Sequence, residues 1–248
     1  MKNNALHIVG VGPGAPDLLT LRAARLIGQA QAIAYFTKRG KKGHARTIAE
    51  SFISPHTKEL RLEYPLTTEI PFTDPHYKQT LATFYDHSAQ QLAQCLSAGE
   101  RLVLLSEGDP FLYGSCLYVF DRLLPRHAIE VTPGVSAMSA SWSSALIPIT
   151  HGDDVLSVLP GTLPLSELCY QLGQCDAAVI MKIGQNLEKI CTALQQTQTL
   201  SRAHYIEYAT QSQQRILPLA KEIPKTAPYF SLIFIPGRQK ERRENLNP

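Results

Sequence analysis

The chain has 248 residues, 44% hydrophobic and 18% charged, enough to bury a substantial core in one large or two smaller domains. Its net charge of +3 is too mild to argue for a nucleic-acid partner, although basic residues gather at Lys38–Lys42 and Lys240–Arg243. The five cysteines include no C-x-x-C pair, no apolar run reaches a membrane span of roughly 18–20 residues, and the chain opens on no charged-then-apolar signal, so a soluble protein of the reducing cytoplasm is expected.

Short apolar runs alternate with longer amphipathic ones, the pattern of an α/β fold. Ala5–Val11 reads as a first strand, and Thr20 as the N-cap of a helix with Leu21, Ala24, Arg25 and Gly28 at helical spacing. Ala30–Phe36 reads as a second strand. Leu81, Phe84, Tyr85, Ser88, Leu92 and Leu96 then form one stripe of a long helix, with Gly99 placed to end it. Leu102–Leu105 is a buried strand delivered into a Ser-Glu-Gly-Asp-Pro turn. Beyond Gly114 a helix carries Leu117, Phe120, Leu123 and Leu124 at core spacing and stops at Pro125, and Ile129–Thr132 is a further brief strand.

Thr132-Pro-Gly-Val-Ser-Ala137 reads as a hinge, because a Pro-Gly turn is followed there by a small-residue helix, Ser136–Leu146. The expected organisation is an N-terminal α/β domain over 1–128, a C-terminal α/β domain over 129–240, and a flexible tail over 241–248. In the second half, strands are expected at Val155–Leu159, Ala177–Lys182, Ala203–Tyr208, Arg215–Leu219 and Tyr229–Ile235, with helices around Leu165–Leu172 and Leu187–Leu194. The last three strands leave little room for helices between them. A mainly parallel first sheet and a mixed second sheet follow.

Two turns carry the chemistry. Gly10-Val-Gly-Pro-Gly-Ala15 sits between a strand and a helix like a dinucleotide fingerprint, but Pro13 removes an N–H, and no acid lies between Asp17 and Glu50 to hold a ribose. A tight βα turn explains Gly12 and Gly14 as well as a nucleotide does, and an NADP reading would lean on Lys38 or Arg39. In Glu107-Gly-Asp-Pro110, two acids at the mouth of a buried strand repel each other unless a ligand or a hydrogen-bond network uses them. Asp109 is therefore either a ligand contact or the former of an Asx-type turn. Tyr113 and Tyr118 suit a core position or a ligand contact equally. The eight histidines show no metal-ligand spacing, and no metal is expected.

The segments GVGPGAPDLLTLRAAR, KRGKKGHARTIA, LSEGDPFLYGS, VTPGVSAMSA, DDVLSVLPGTLP, AAVIMKIGQNLEKI, YIEYAT and YFSLIFIPGR, in this order from Leu6 to Arg238, resemble the tetrapyrrole methylase superfamily. GxGPG and GDP mark the superfamily as a whole. DDVLSVLPGTLP, IMKIGQNL and YFSLIFIPGR resemble its branch that methylates C20 of a corrin precursor. One departure stands out: the first loop of the family usually reads Gly-Pro-Gly-Asp-Pro, and Ala15 replaces that Asp here, leaving Asp17 as a partial substitute.

The resemblance implies S-adenosylmethionine (SAM) as methyl donor, bound in a trough between two α/β domains. It implies methyl transfer to C20 of precorrin-2 or cobalt-factor II in cobalamin biosynthesis, and a homodimer. Another superfamily methylase or a non-enzymatic tetrapyrrole carrier remains the alternative. Carried over by motif, the donor site comprises Pro13, Ser106, Glu107, Gly108, Asp109, Leu112, Ser136 and Ala137, with Met181, Ala209 and Pro236 on the adenosine side; Met181 suits simple core packing equally. Asp109 is the catalytic candidate, expected to hydrogen-bond the pyrrole N–H groups. Tyr113 and the basic residues Lys38, Arg39, Lys41 and Arg46 are candidates for the substrate and its carboxylates, the alternative for the basic group being a solvated connector.

Overall fold

The computed structural model describes residues 5–65 and 75–237; the expected 241–248 tail and the Lys240–Arg243 cluster lie outside them. The chain divides into two compact units, Met1–Ser136 and Ala137–Pro248. In the first, β1 (Ala5–Gly10), α1 (Leu21–Gly28), β2 (Ala32–Lys38), α2 (His44–Ile48), β3 (Lys58–Tyr64), α3 (Pro75–Ser97), β4 (Leu102–Ser106), α4 (Cys116–Leu123) and β5 (Ala128–Thr132) follow one another. The strands form a wholly parallel five-stranded sheet in the order β3-β2-β4-β1-β5.

A parallel sheet needs cover on both faces, and the central strands alternate accordingly. Leu6, Ile8, Leu102 and Leu104 join the core beneath α3 and α4, while Val9, Ile33, Val103 and Leu105 join the core beneath α1 and α2. Burying each such side chain contributes ~1.5–3 kcal/mol. Thr20 caps α1 by accepting a bond from the Ala23 N–H at 3.1 Å, and Gly99 ends α3 with a φ of 77°.

The winding of the connections reverses between β1 and β4. From β1 it passes through α1 to β2 on one side, and from β4 through α4 to β5 on the other. The adjacent carboxyl ends of β1 and β4 therefore form a topological switch point, the place where open α/β sheets bind ligands.

Three features differ from the sequence reading. β3 presents Leu60, Leu62 and Tyr64 to the core, but they alternate with Lys58, Glu59, Arg61 and Glu63, so this charged edge strand has the composition of a loop. The buried face of α4 is Cys116, Val119 and Leu123, and Leu124 is exposed because it lies past the last turn of that helix. Residue 129 falls inside β5, whose Ile129 and Val131 pair with Leu6 and Ile8 of β1. That pairing keeps β5 with the first unit, and the division comes after Ser136.

The second unit contains α5 (Ala137–Ser144), β6 (Leu156–Pro160), α6 (Leu165–Gly173), β7 (Ala177–Met181), α7 (Leu187–Gln196), β8 (His204–Glu207), β9 (Arg215–Pro218) and β10 (Ser231–Ile235). Its sheet runs β6-β7-β10-β8-β9. β6 and β7 are parallel, and the remaining pairs are antiparallel, so the sheet is mixed. Ala178, Ile180, Tyr205, Ile233 and Ile235 face the core shared with α6 and α7. Ala177, Val179, Ile206, Leu232 and Phe234 face the opposite side, where α5 supplies Met138 and Trp142.

Candidate functional site

At the switch point the first unit is joined backbone to backbone. The Val11 N–H donates to the Ser106 carbonyl at 2.9 Å, and the Gly108 N–H to the Gly12 carbonyl at 2.8 Å. The loop after β5 closes on the same place: a Cβ on Gly10 would lie 2.6 Å from both the Gly108 carbonyl oxygen and the Gly134 nitrogen, and one on Gly134 would collide with that same oxygen. Glycine is required here because three chain segments meet with no room for a side chain.

Asp109 fastens the junction. Its Oδ1 accepts from the Phe111 N–H at 2.9 Å, an Asx turn, and its Oδ2 accepts from the Gly134 N–H at 3.2 Å. The network that relieves the two-acid turn is thus made of backbone donors, and it leaves each carboxylate oxygen a second lone pair. Leu112 follows with its N–H on the Asp109 carbonyl at 3.3 Å. Pro13 and Ser106 are buried in the junction rather than at its rim, and the Cys116 thiol, pushed up to about 11 chiefly by burial, lies against the Ser106 hydroxyl at 3.6 Å.

Glu107 is directed elsewhere than its motif suggests. Its Oε1 accepts from the Ala45 N–H at 3.2 Å, inside the first turn of α2, and burial pushes its carboxyl above the ordinary glutamate range. Arg46 is also committed: its Nε and Nη2 grip Glu59 Oε1 at 3.1 and 2.9 Å, and its side chain is only 14% exposed. The two charge-assisted bonds to that one oxygen lower the Glu59 carboxyl and raise the Arg46 guanidinium, mutual stabilisation of two charged forms. Arg46 is therefore a strut of α2 in this structure, correcting its expected place beside Lys38, Arg39 and Lys41. Those three are exposed, and among the described residues no ion pair is recorded for them.

In the second unit, Ala137, Met181 and Ala209 come together as half-buried members of one apolar cluster, built on Ala177, Val179, Ile206, Leu232 and Phe234. Pro236 departs from expectation: it is buried, and its carbonyl accepts from Arg202 Nη1 at 2.8 Å. Two motifs that carried the resemblance act in packing here. The Gly161 N–H donates to the Met181 carbonyl at 2.6 Å, and the Asp154 carboxylate lies against Gly237.

Backbone strain occurs beside some of these positions, as it does at Leu146 (φ 55°) and Gln198 (φ 57°) elsewhere. Tyr113 (φ 57°), Lys182 (φ 57°), Tyr208 (φ 51°) and Thr210 (φ 67°) occupy the left-handed region, which costs non-glycine residues about 1 kcal/mol or more each. They flank Leu112, Met181 and Ala209. The half-buried apolar cluster suits an adenine face, and the strand-end junction offers backbone groups and spare Asp109 lone pairs to polar groups. The residues present fit a nucleoside-bearing donor.

Residues 5–223 match the model of the tetrapyrrole (corrin/porphyrin) methylases. A precorrin-2 C(20)-methyltransferase of Sinorhizobium sp is 47% identical over 92% of this chain and 94% of its own length. A cobalt-precorrin-2 C(20)-methyltransferase of Salmonella typhimurium is 26% identical over 94% of this chain and 96% of its own. Among solved structures, uroporphyrin-III C-methyltransferase from Thermus thermophilus complexed with S-adenyl homocysteine has a TM-score of 0.63 at 20% identity, covering 93% of this chain and 96% of that one; at that identity the likeness is one of fold. The chain belongs to the tetrapyrrole (corrin/porphyrin) methylases.

Proposed function

We propose that this chain is a SAM-dependent methyltransferase that methylates C20 of precorrin-2, or of its cobalt-containing counterpart, in cobalamin biosynthesis. The observation that carries the reading is the 47% identity to the Sinorhizobium enzyme over 92% of this chain, on a fold whose strand-end loops meet at a switch point.

When bound, SAM supplies a methyl group already activated by its sulfonium charge. The chain's task is then alignment, which can provide a large share of the rate by holding the reacting carbon in line. In this reading the backbone of Ser106–Leu112 and Ser136 borders the donor, while Ala137, Met181 and Ala209 give the adenine an apolar surface. Pro13 and Pro236 support these surfaces from beneath. Asp109 uses its spare lone pairs to accept from pyrrole N–H groups, and Tyr113, half-exposed beside it, lies against the macrocycle. Lys38, Arg39 and Lys41 receive the peripheral carboxylates.

Incubating the pure protein with methyl-labelled SAM and either precorrin-2 or cobalt-factor II, followed by NMR of the product, tests the reading. Label at C20 with one substrate strongly preferred is expected; label at another carbon, or none, rejects it. A cytoplasmic homodimer belongs to the same proposal. The five free cysteines suit a reducing compartment, and sedimentation at twice the 27.4 kDa chain mass is expected.

A further inference from the structure

The helix that follows the basic loop cannot cap itself. Gly43 precedes α2 with φ 80° and supplies no side-chain bond to it. It cannot be exchanged for a capping residue either, because a Cβ there would lie 2.8 Å from the Tyr35 ring. The cap comes from 62 residues along the chain, where Glu107 Oε1 accepts the Ala45 N–H. On its flank α2 is held by Arg46 on Glu59, whose other oxygen accepts from the Tyr35 hydroxyl at 2.8 Å.

The loop itself is stapled. Thr37 Oγ1 donates to the Lys41 carbonyl at 3.0 Å, and the Lys41 N–H donates to the Lys38 carbonyl at 2.9 Å. Lys42 is drawn to Glu50 at 2.5 Å. What remains is a loop held by these bonds that displays Lys38, Arg39 and Lys41 and leads into α2, whose Ala45 N–H meets Glu107.

We infer that Glu107 is a positioning residue: from the strand-end turn it caps α2 and thereby fixes the basic loop in register with Asp109, so that one tetrapyrrole meets the cations at its rim and the carboxylate at its centre. This rests on the function proposed above and assigns Glu107 a task distinct from donor binding. A half-buried carboxyl aimed at a helix start rather than at the switch point is what such a task requires. The cost of losing the cap falls on the loop.

Hydrogen exchange of the ligand-free protein tests the structural half. Glu107→Ala is expected to speed exchange of the peptide covering residues 38–48 about fivefold, the usual effect of losing one cap. Glu107→Gln, which keeps an acceptor oxygen, is expected to restore most of the protection. Unchanged exchange in Glu107→Ala overturns the inference, whatever the substrate proves to be.

Steady-state kinetics with precorrin-2 tests the other half. The Glu107→Ala effect is expected in KM for the tetrapyrrole, by a similar factor, more than in kcat or in KM for SAM. It should vanish when Lys38, Arg39 and Lys41 are all replaced by Ser. A KM effect that persists in that background, or that falls mainly on SAM, overturns the positioning role. Absence of C20 methylation by the unaltered protein rejects the functional reading instead, and the exchange result still decides whether Glu107 caps α2.

Discussion

The two units build the surfaces at their candidate site residues by opposite means. In the first, the carboxyl ends of β1, β4 and β5 meet through main chain alone: glycine against glycine, carbonyl against amide, with one carboxylate as fastener. In the second, the surface at Ala137, Met181 and Ala209 is made of half-buried side chains on an apolar cluster, and Gly237 of that unit presses against a side chain, the Asp154 carboxylate. Close-packed backbone has nowhere to move, whereas side chains have other rotamers. The first surface should be intolerant of any added atom, and the second should adapt.

Glycine substitutions draw that contrast most sharply. Gly134→Ala drives a methyl group into the Gly108 carbonyl and the Gly10 backbone, and a loss of about 3 kcal/mol or more is expected, at the upper end for overpacking. Gly237→Ala meets the Asp154 carboxylate instead. That group can turn away by giving up its bond from the His151 N–H, 2.9 Å in the native protein, for about 1 kcal/mol. Urea denaturation of both variants measures the pair. Equal losses would show that the second surface is as rigid as the first.

Asp109 comes next in size, because it joins the two roles that the first surface combines. Asp109→Ala removes both of its backbone bonds, and about 2 kcal/mol of stability should go with them. Asp109→Asn keeps the acceptor for Phe111 and sets an amide against the Gly134 N–H, so it should lose about half as much. The informative measurement is turnover alongside stability. If Asp109→Asn loses more than tenfold in kcat while staying folded, the carboxylate touches the substrate; if activity follows stability, it is a latch alone.

The same contrast explains what could be read from the sequence. Gly10, Gly12, Gly108 and Asp109 were legible because a backbone junction admits few residue types, and those types stand out in one dimension. The alternation of strands and helices was legible for the same kind of reason, since β1 and β4 are apolar apart from His7 and the terminal Gly10 and Ser106. β3 was not, because an edge strand with Lys58, Glu59, Arg61 and Glu63 has the composition of a solvated connector. Nor was the role of Glu107 or Arg46: both depend on β2 lying between β3 and β4, which brings α2 within reach of each. Met181 and Ala209 carry no local signature at all. They entered through resemblance, and only the sheet order of the second unit shows that they share a cluster.

The smallest expected effect is the most specific to Glu107. Its folded pKa is raised, chiefly by desolvation and against the pull of its own and the Ala45 amides. The fold therefore favours the protonated carboxyl, and the stability tied to that form is fully present below the unfolded value of about 4.3. It is lost as pH rises through the higher folded value. Glu107→Gln keeps an uncharged side chain of the same shape at every pH. Its stability relative to the native protein should therefore improve steadily above about pH 4.3 and level off once the native carboxyl is fully ionised. Parallel urea titrations from about pH 4 to about pH 9 would read this difference. A flat difference would mean that two backbone amides solvate the carboxylate as well as water does, making this corner of the first unit electrostatically as accommodating as the side-chain surface of the second.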